Sequence, residues 1–476
     1  MRSLFIILCL LTSLCSIAQV KDITPPLASD ETFFSLVGDR LGAIFLVRSK
    51  NNRGNGLLRY YDDGWKSATG YPDQPVSVYM IRNRMYLLTW SLSVGGDYKL
   101  NRRSSNGWES MPYSLGGSVG DVFTLPNGTP AVKGIFHGSN GTYYFAWLNN
   151  DKWEPMPPPA DSMTRYIFSH HTSFTPQADG KGNLYTYTFG PEGDEVTSWD
   201  GTNWKRLGLL GKSRIDNMAV APNGHLFAPR NTSEKPNGIL EWNGSEWTTL
   251  QCNAKDYDGG NFEAAAVNES NELFAAGNAK KKNDYLIYKY SNNNWEEFAK
   301  IPQGPVSYMY YNNGNLYVKT EGGRLFQVKG AGKPFSAYED RYKEMVNIYT
   351  EYAAAVKNYM KPVTDAVQFF KEGNHEGEEK AVSVAKEGIT GIDKLNTVLN
   401  DYKTKLSNLG SFPGNWLALA MTEYLDAAIG HNNGWRALFS CYIKDDTVGF
   451  NAAQKQLQAA MKLFQEKTDQ LNAVVE

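Results

Sequence analysis

The chain has 476 residues, 41% apolar and 13% aromatic, with 48 basic against 50 acidic residues. It is too apolar for a disordered chain, too near neutral for a nucleic-acid surface, and, with four cysteines, too poor in thiols for a disulfide-built scaffold. The length predicts two to four domains, or a repeat array with a smaller addition.

Residues 1–18 read as a signal peptide. Arg2 is followed by an apolar run from Leu4 to Leu14, and Ser16-Ile17-Ala18 puts small residues at the cleavage positions, so the mature chain is predicted to begin at Gln19. The run is short of the ~20 residues that span a bilayer. Leu precedes both Cys9 and Cys15, where a lipobox needs a small residue. The expectation is a secreted or periplasmic protein with no membrane insertion, in which only Cys252 and Cys441 survive processing.

From residue 19 to 337 the chain repeats. One unit ends in Trp after a polar turn: Trp65, Trp108, Trp153, Trp204, Trp247 and Trp295, spaced by 43, 45, 51, 43 and 48 residues. The intervening turns, such as Asp200-Gly201 and Asn243-Gly244, favour the positive φ of tight hairpins. A second hairpin precedes each of these, turning at Asp39, Asn83, Asn127, Lys181, Asn223, Asn271 and Asn313. Two hairpins per period of about 45 residues make four strands, the unit of a β-propeller blade, and seven turns predict seven blades. The seventh copy, near Leu325–Gly332, lacks the Trp. Its fourth strand is weak because Pro334 cannot donate to a ladder, so Val20–Thr24 is predicted to supply it and close the ring. A Trp recurring in every blade belongs between blades, not on a ligand.

One copy reads Leu273-Phe274-Ala275-Ala276-Gly277, a loop, Tyr288-Lys289-Tyr290, then Trp295. This order of strand, Gly, loop, Tyr, turn and Trp resembles the kelch-type propeller, including the central domain of galactose-oxidase-like proteins. The glycine doublet of that repeat is missing from most copies. The resemblance implies the architecture and no activity: copper chemistry of the galactose-oxidase kind needs a Cys–Tyr crosslink and two His, and Cys252 is the one cysteine left in this region. No cofactor or metal is expected.

Composition changes near residue 337. Nineteen of 21 prolines and 35 of 44 glycines lie before it. Behind it, Tyr338, Tyr342, Met345, Tyr349, Tyr352, Val356, Tyr359 and Val363 recur at helical spacing. Ser336 to Glu339 reads as a capping box and Pro362 as a kink or break. Further helices are predicted over 378–408, 415–429, about 434–443, and 450–474. The fold class is thus an all-β seven-bladed propeller over 19–337 followed by an all-α bundle of four or five helices over 338–476.

Aromatics that break the repeat mark the candidate ligand site, in the loops that join one blade to the next. These loops supply Tyr71, Tyr113, Arg165, Tyr166, Arg214, Tyr257 and Asp258, with His170 beside them. Arg165, Arg214, Tyr166, Asp216 and Asp258 could be assembled into a sialidase-like set, although no spacing requires it. Trp416 and Trp435 lie outside the main helical stripes and are candidates for a partner contact. The sequence reading is an exported, non-enzymatic binding protein that recognises a protein or glycan at the channel mouth, with no nucleic acid, and whose bundle serves docking or oligomerisation. The alternative is a glycoside hydrolase or lyase at the same mouth.

Overall fold

The computed structural model describes residues 18–475 apart from 52, 62–63, 72, 82–83, 91–97, 105–106, 112–115, 139–140, 150–151, 158–174, 189–192, 211–213, 216, 232–237, 282–284, 373–377, 411 and 413–414. The predicted signal peptide therefore lies outside the described residues except for Ala18.

Seven antiparallel four-stranded sheets follow one another along the chain, as the repeat count predicts. Blade 1 is built from Glu31–Gly38, Ile44–Lys50, Arg53–Tyr61 and Gly64–Ala68. Blade 2 covers 74–111, blade 3 116–155, blade 4 177–209, blade 5 219–251 and blade 6 257–301. The sequence did not announce a small two-stranded sheet, in which Arg214 pairs with Asn231.

The recurring Trp faces its aromatic partner across the outer hairpin. Tyr60 pairs with Trp65, Trp199 with Trp204, Trp242 with Trp247, and Tyr290 with Trp295, with ring centroids 5.1–5.7 Å apart. The same rings reach the preceding blade. Trp108 packs with Phe45 and Leu57 of blade 1, and the Trp247 indole donates to the Leu207 carbonyl of blade 4 at 3.1 Å. Burial of these apolar rings between sheets is the main force joining one blade to the next.

Blade 7 comprises Val306–Asn312, Asn315–Thr320 and Leu325–Lys329. Its fourth and outermost strand is Val20–Asp22, with Val20 opposite Val328 and Asp22 opposite Phe326. Blade 7 has no outer hairpin of its own, which explains why its copy carries no Trp. Beyond the strand, Ile23 is buried among Phe33, Ile44 and Tyr317. Its carbonyl accepts the Trp65 indole at 2.6 Å, so the closing segment meets blade 1 as Leu207 of blade 4 meets Trp247 of blade 5.

The helical region opens with a 3₁₀ turn at Phe335–Tyr338 and continues as α1 (Glu339–Lys371), α2 (Glu378–Asn408), α3 (Trp416–Ile443) and α4 (Thr447–Val475). Three local expectations need correction. Tyr338, not Ser336, is the N-cap of α1, and no side chain caps it. Pro362 neither ends nor breaks α1, which runs on to Lys371 with the proline inside it. The segments 415–429 and 434–443 are one helix, because Gly434 is used for close packing: a Cβ there would stand 3.0 Å from Leu457 Cδ1 of α4. No described helix is long and apolar enough to cross a membrane.

Candidate functional site

The innermost strand of each blade faces the propeller axis, and its polar residues are largely spent on the neighbouring blade. Ser35 sits on a bulge of blade 1 in the left-handed region, at φ 55°. Its hydroxyl donates to the Val78 carbonyl at 3.1 Å and accepts from the Val78 amide at 2.9 Å, both in blade 2. Glu263 occupies the equivalent bulge of blade 6 and accepts the Val306 amide of blade 7 at 2.9 Å. Gln177 of blade 4 donates to the Met218 carbonyl ahead of blade 5 at 2.9 Å. The Lys319 ammonium donates to the Phe33 carbonyl at 2.8 Å and stands 4.7 Å above the Phe33 ring, tying blade 7 to blade 1. A bulge re-aims a side chain out of the regular alternation, which lets an inner strand clamp its neighbour.

These clamps sit in poorly solvated surroundings. Burial raises the Glu263 carboxyl, with the Glu321 and Asp258 charges adding to it against the Val306 amide, and burial lowers the Lys319 ammonium.

Asp121 of blade 3 accepts the Tyr79 hydroxyl of blade 2 on one carboxylate oxygen and the Thr175 hydroxyl, just ahead of blade 4, on the other. Tyr308 of blade 7 lies on the inner strand with 39% of its surface accessible. Protein nevertheless surrounds it, and the poor solvation raises its hydroxyl well above the usual tyrosine range, with Tyr310 and Asp121 as the neighbouring groups. Hydrogen bonds thus join Tyr79 of blade 2, Asp121 of blade 3 and Thr175 ahead of blade 4, and the Asp121 charge reaches Tyr308 of blade 7.

The candidates drawn from the sequence fall in several places. Tyr113, Arg165, Tyr166 and His170 lie outside the described residues. Tyr71 is half-buried and packs on a cluster with Phe34, Val37 and Trp108. Arg214 is in the small two-stranded sheet, and its side chain is not among those described. Tyr257 requires a correction. It is not on a loop but opens the eleven-residue inner strand of blade 6, buried to 5% exposure, stacked 4.9 Å from Phe262 and edge-on to Tyr288. That ring is core and presents nothing to a channel ligand. Asp258 beside it is exposed and accepts the Gly260 amide at 2.7 Å, an ordinary turn contact. Trp435 also needs correction as a partner contact: it is buried in the helical core, where its indole donates to His431 at 3.2 Å. Trp416 is the first residue of α3, with its side chain outside the description.

Asp121, Tyr79 and Tyr308 were not singled out from the sequence. The one available signal was a polar or tyrosyl residue interrupting an inner strand, as Ser35 does in Glu31–Gly38.

No family model matches this chain, and no curated protein matches it. Among solved structures it is similar to a catalytically inactive virginiamycin B lyase from Staphylococcus aureus, at 12% identity over 66% of this chain and 99% of that one, with a TM-score of 0.44. It is also similar to YCF48 from Cyanidioschyzon merolae, at 15% identity over 65% and 98%, TM-score 0.44. A puromycin hydrolase matches at 13% identity over 62% of this chain and 50% of that one, TM-score 0.42. Likenesses at this level decide nothing about activity, and the seven-bladed fold rests on the order of the strands in the sheets.

Proposed function

We propose that this is an exported, non-enzymatic binding protein whose propeller takes a protein or glycan ligand at the axial channel. The observation that carries the reading is the hydrogen-bonded group of Tyr79, Asp121 and Thr175, with the accessible Tyr308 of blade 7 under the influence of the Asp121 charge. An aromatic face beside hydroxyls and a carboxylate suits a sugar ring or an extended peptide, each of which offers hydrogen-bond donors and a flat or apolar side. Both Asp121 oxygens accept hydroxyl hydrogens, which suits the carboxylate to ordering donors more than to shuttling protons. Tyr113, Arg165, Tyr166, His170 and Arg214 remain proposed ligand contacts in this reading.

The test is to place the chain from Gln19 onward on arrays of glycans and extended peptides, and to assay the bound classes for hydrolysis or elimination. Saturable binding of one class without turnover is the expected result. Turnover of a glycan would replace this reading with a carbohydrate-active enzyme.

A further inference from the structure

The helical region contains a cavity that the propeller reading leaves unused. Its volume is about 190 Å³, and all four helices line it. Val363 of α1, Leu395 and Leu399 of α2, and Phe464 of α4 make apolar walls. Met360 and Met461 also line it and remain 47% and 42% exposed. Methionine is unbranched and soft, a side chain that can give way to an entering tail.

The polar part of the lining has one sign. It contains Lys371 and His431 and no carboxylate. The His431 ring lies flat against Phe464, with centroids 5.1 Å apart, and its Nε2 meets the Trp435 indole N–H at 3.2 Å. An indole N–H can only donate, so Nε2 is the acceptor and the neutral ring carries its proton on Nδ1. That N–H has no acceptor among the described residues. Lys371, the last residue of α1, is exposed and has no ion pair among the described residues. A cation at a helix C-terminus is also favoured by the helix dipole, so the charge by itself decides nothing. An apolar chamber, an available ring N–H and an available ammonium in one lining are a different matter.

We propose that this cavity binds a small amphiphilic anion, a carboxylate whose hydrocarbon tail fills the chamber and whose head takes the Lys371 ammonium and the His431 N–H. A dry cavity of about 150 Å³ accepts benzene, so this one takes roughly seven or eight non-hydrogen atoms, the size of the hydrocarbon tail of an eight-carbon carboxylate whose head stays at the polar rim. This site is independent of the propeller channel.

Calorimetric titration of the full mature chain with octanoate, octan-1-ol and octylamine tests it. Octanoate is expected to bind one to one, about tenfold or more tighter than octan-1-ol, with octylamine weakest. Lys371→Gln, at an exposed position, is expected to weaken octanoate by about tenfold and leave octan-1-ol unchanged. Ala428→Phe, which pushes a ring into the chamber, is expected to abolish both. Should Ala428→Phe fail to fold, Lys371→Gln still decides. No octanoate binding, equal affinity for octanoate and octan-1-ol, or octanoate affinity unchanged by Lys371→Gln would each overturn the proposal.

Discussion

Trp295 shows how a single side chain holds a blade. Its ring stacks 5.4 Å from Phe262, which stacks in turn on Tyr257, while Tyr288 meets Phe262 edge-on. Gly277 lies against the same group, where a Cβ would stand 3.1 Å from Phe262 Cδ1. Trp295→Ala is therefore expected to cost about 3–5 kcal/mol of stability. Gly277→Ala is expected to cost about 1–3 kcal/mol through overpacking. Urea unfolding of the two variants measures both, and a loss below 1 kcal/mol for Trp295→Ala would contradict the packing account. The same positions show what could be read beforehand. Trp295 was legible as packing because it recurred in register. Tyr257 was misread as a loop residue: the chain ahead of blade 6 reads as one joining loop, but Tyr257 already opens an inner strand whose register shifts. Tyr308 was missed because Ser307-Tyr308-Met309-Tyr310 alternates like any half-buried strand, and whether its outer face meets bulk water or a channel depends on the other blades.

At the scale of elements, the closing strand has the largest consequence. Burial works against ionising Asp22, but the Thr24 hydroxyl and amide and the Arg324 guanidinium hold its carboxyl below the usual range. A lowered folded pKa contributes stability that is present above the unfolded value of about 3.9 and is lost as pH falls through the folded one. Asp22→Asn should thus flatten the acid limb of the stability curve, while removing residues 19–24 should lower stability at every pH and leave the outer edge of Leu325–Lys329 open to aggregation. Thermal unfolding from pH 3 to 7 with light scattering checks both, and a truncated chain that stays as stable and monomeric as the parent would refute closure. The N-terminal strand was legible because the seventh repeat supplies three clear strands before Pro334, which cannot donate to a ladder, and Val20–Thr24 is extended in character. The helices were less legible: 415–429 and 434–443 read as separate segments, and the contact that keeps α3 continuous comes from Leu457 on another helix.

In α3, burial lowers the His431 pKa, and the Lys371 charge from α1 lowers it further. Trp435 of the same helix and Phe464 of α4 hold the ring on its other sides. The folded state therefore prefers neutral His431, so its contribution is full above the unfolded value of about 6.5 and is lost as pH falls from there through the lowered folded value. Helical ellipticity at 222 nm, followed through thermal unfolding at pH 4.5 to 8, should show that loss, and His431→Phe should remove it. An unchanged slope in the variant would mean that another group titrates.

For the whole molecule, closing seven sheets into a ring leaves no unpaired edge at the seam and puts residues distant in sequence beside one another on the axis. Tyr308 lies 187 positions after Asp121, and the Asp121 charge reaches it because the ring closes. Ser35, Glu263 and Gln177 tie one blade to the next, whereas the Tyr308 ring is 39% accessible, so Tyr308→Ala is expected to leave the unfolding midpoint unchanged. The most direct measurement is the affinity of the captured protein or glycan for the parent chain and for Tyr308→Ala, each checked for an unchanged unfolding midpoint. The axial site predicts a loss of about tenfold or more, in line with removing one aromatic anchor from a binding surface. Equal affinity of the two chains, with folding intact, would contradict recognition at the channel.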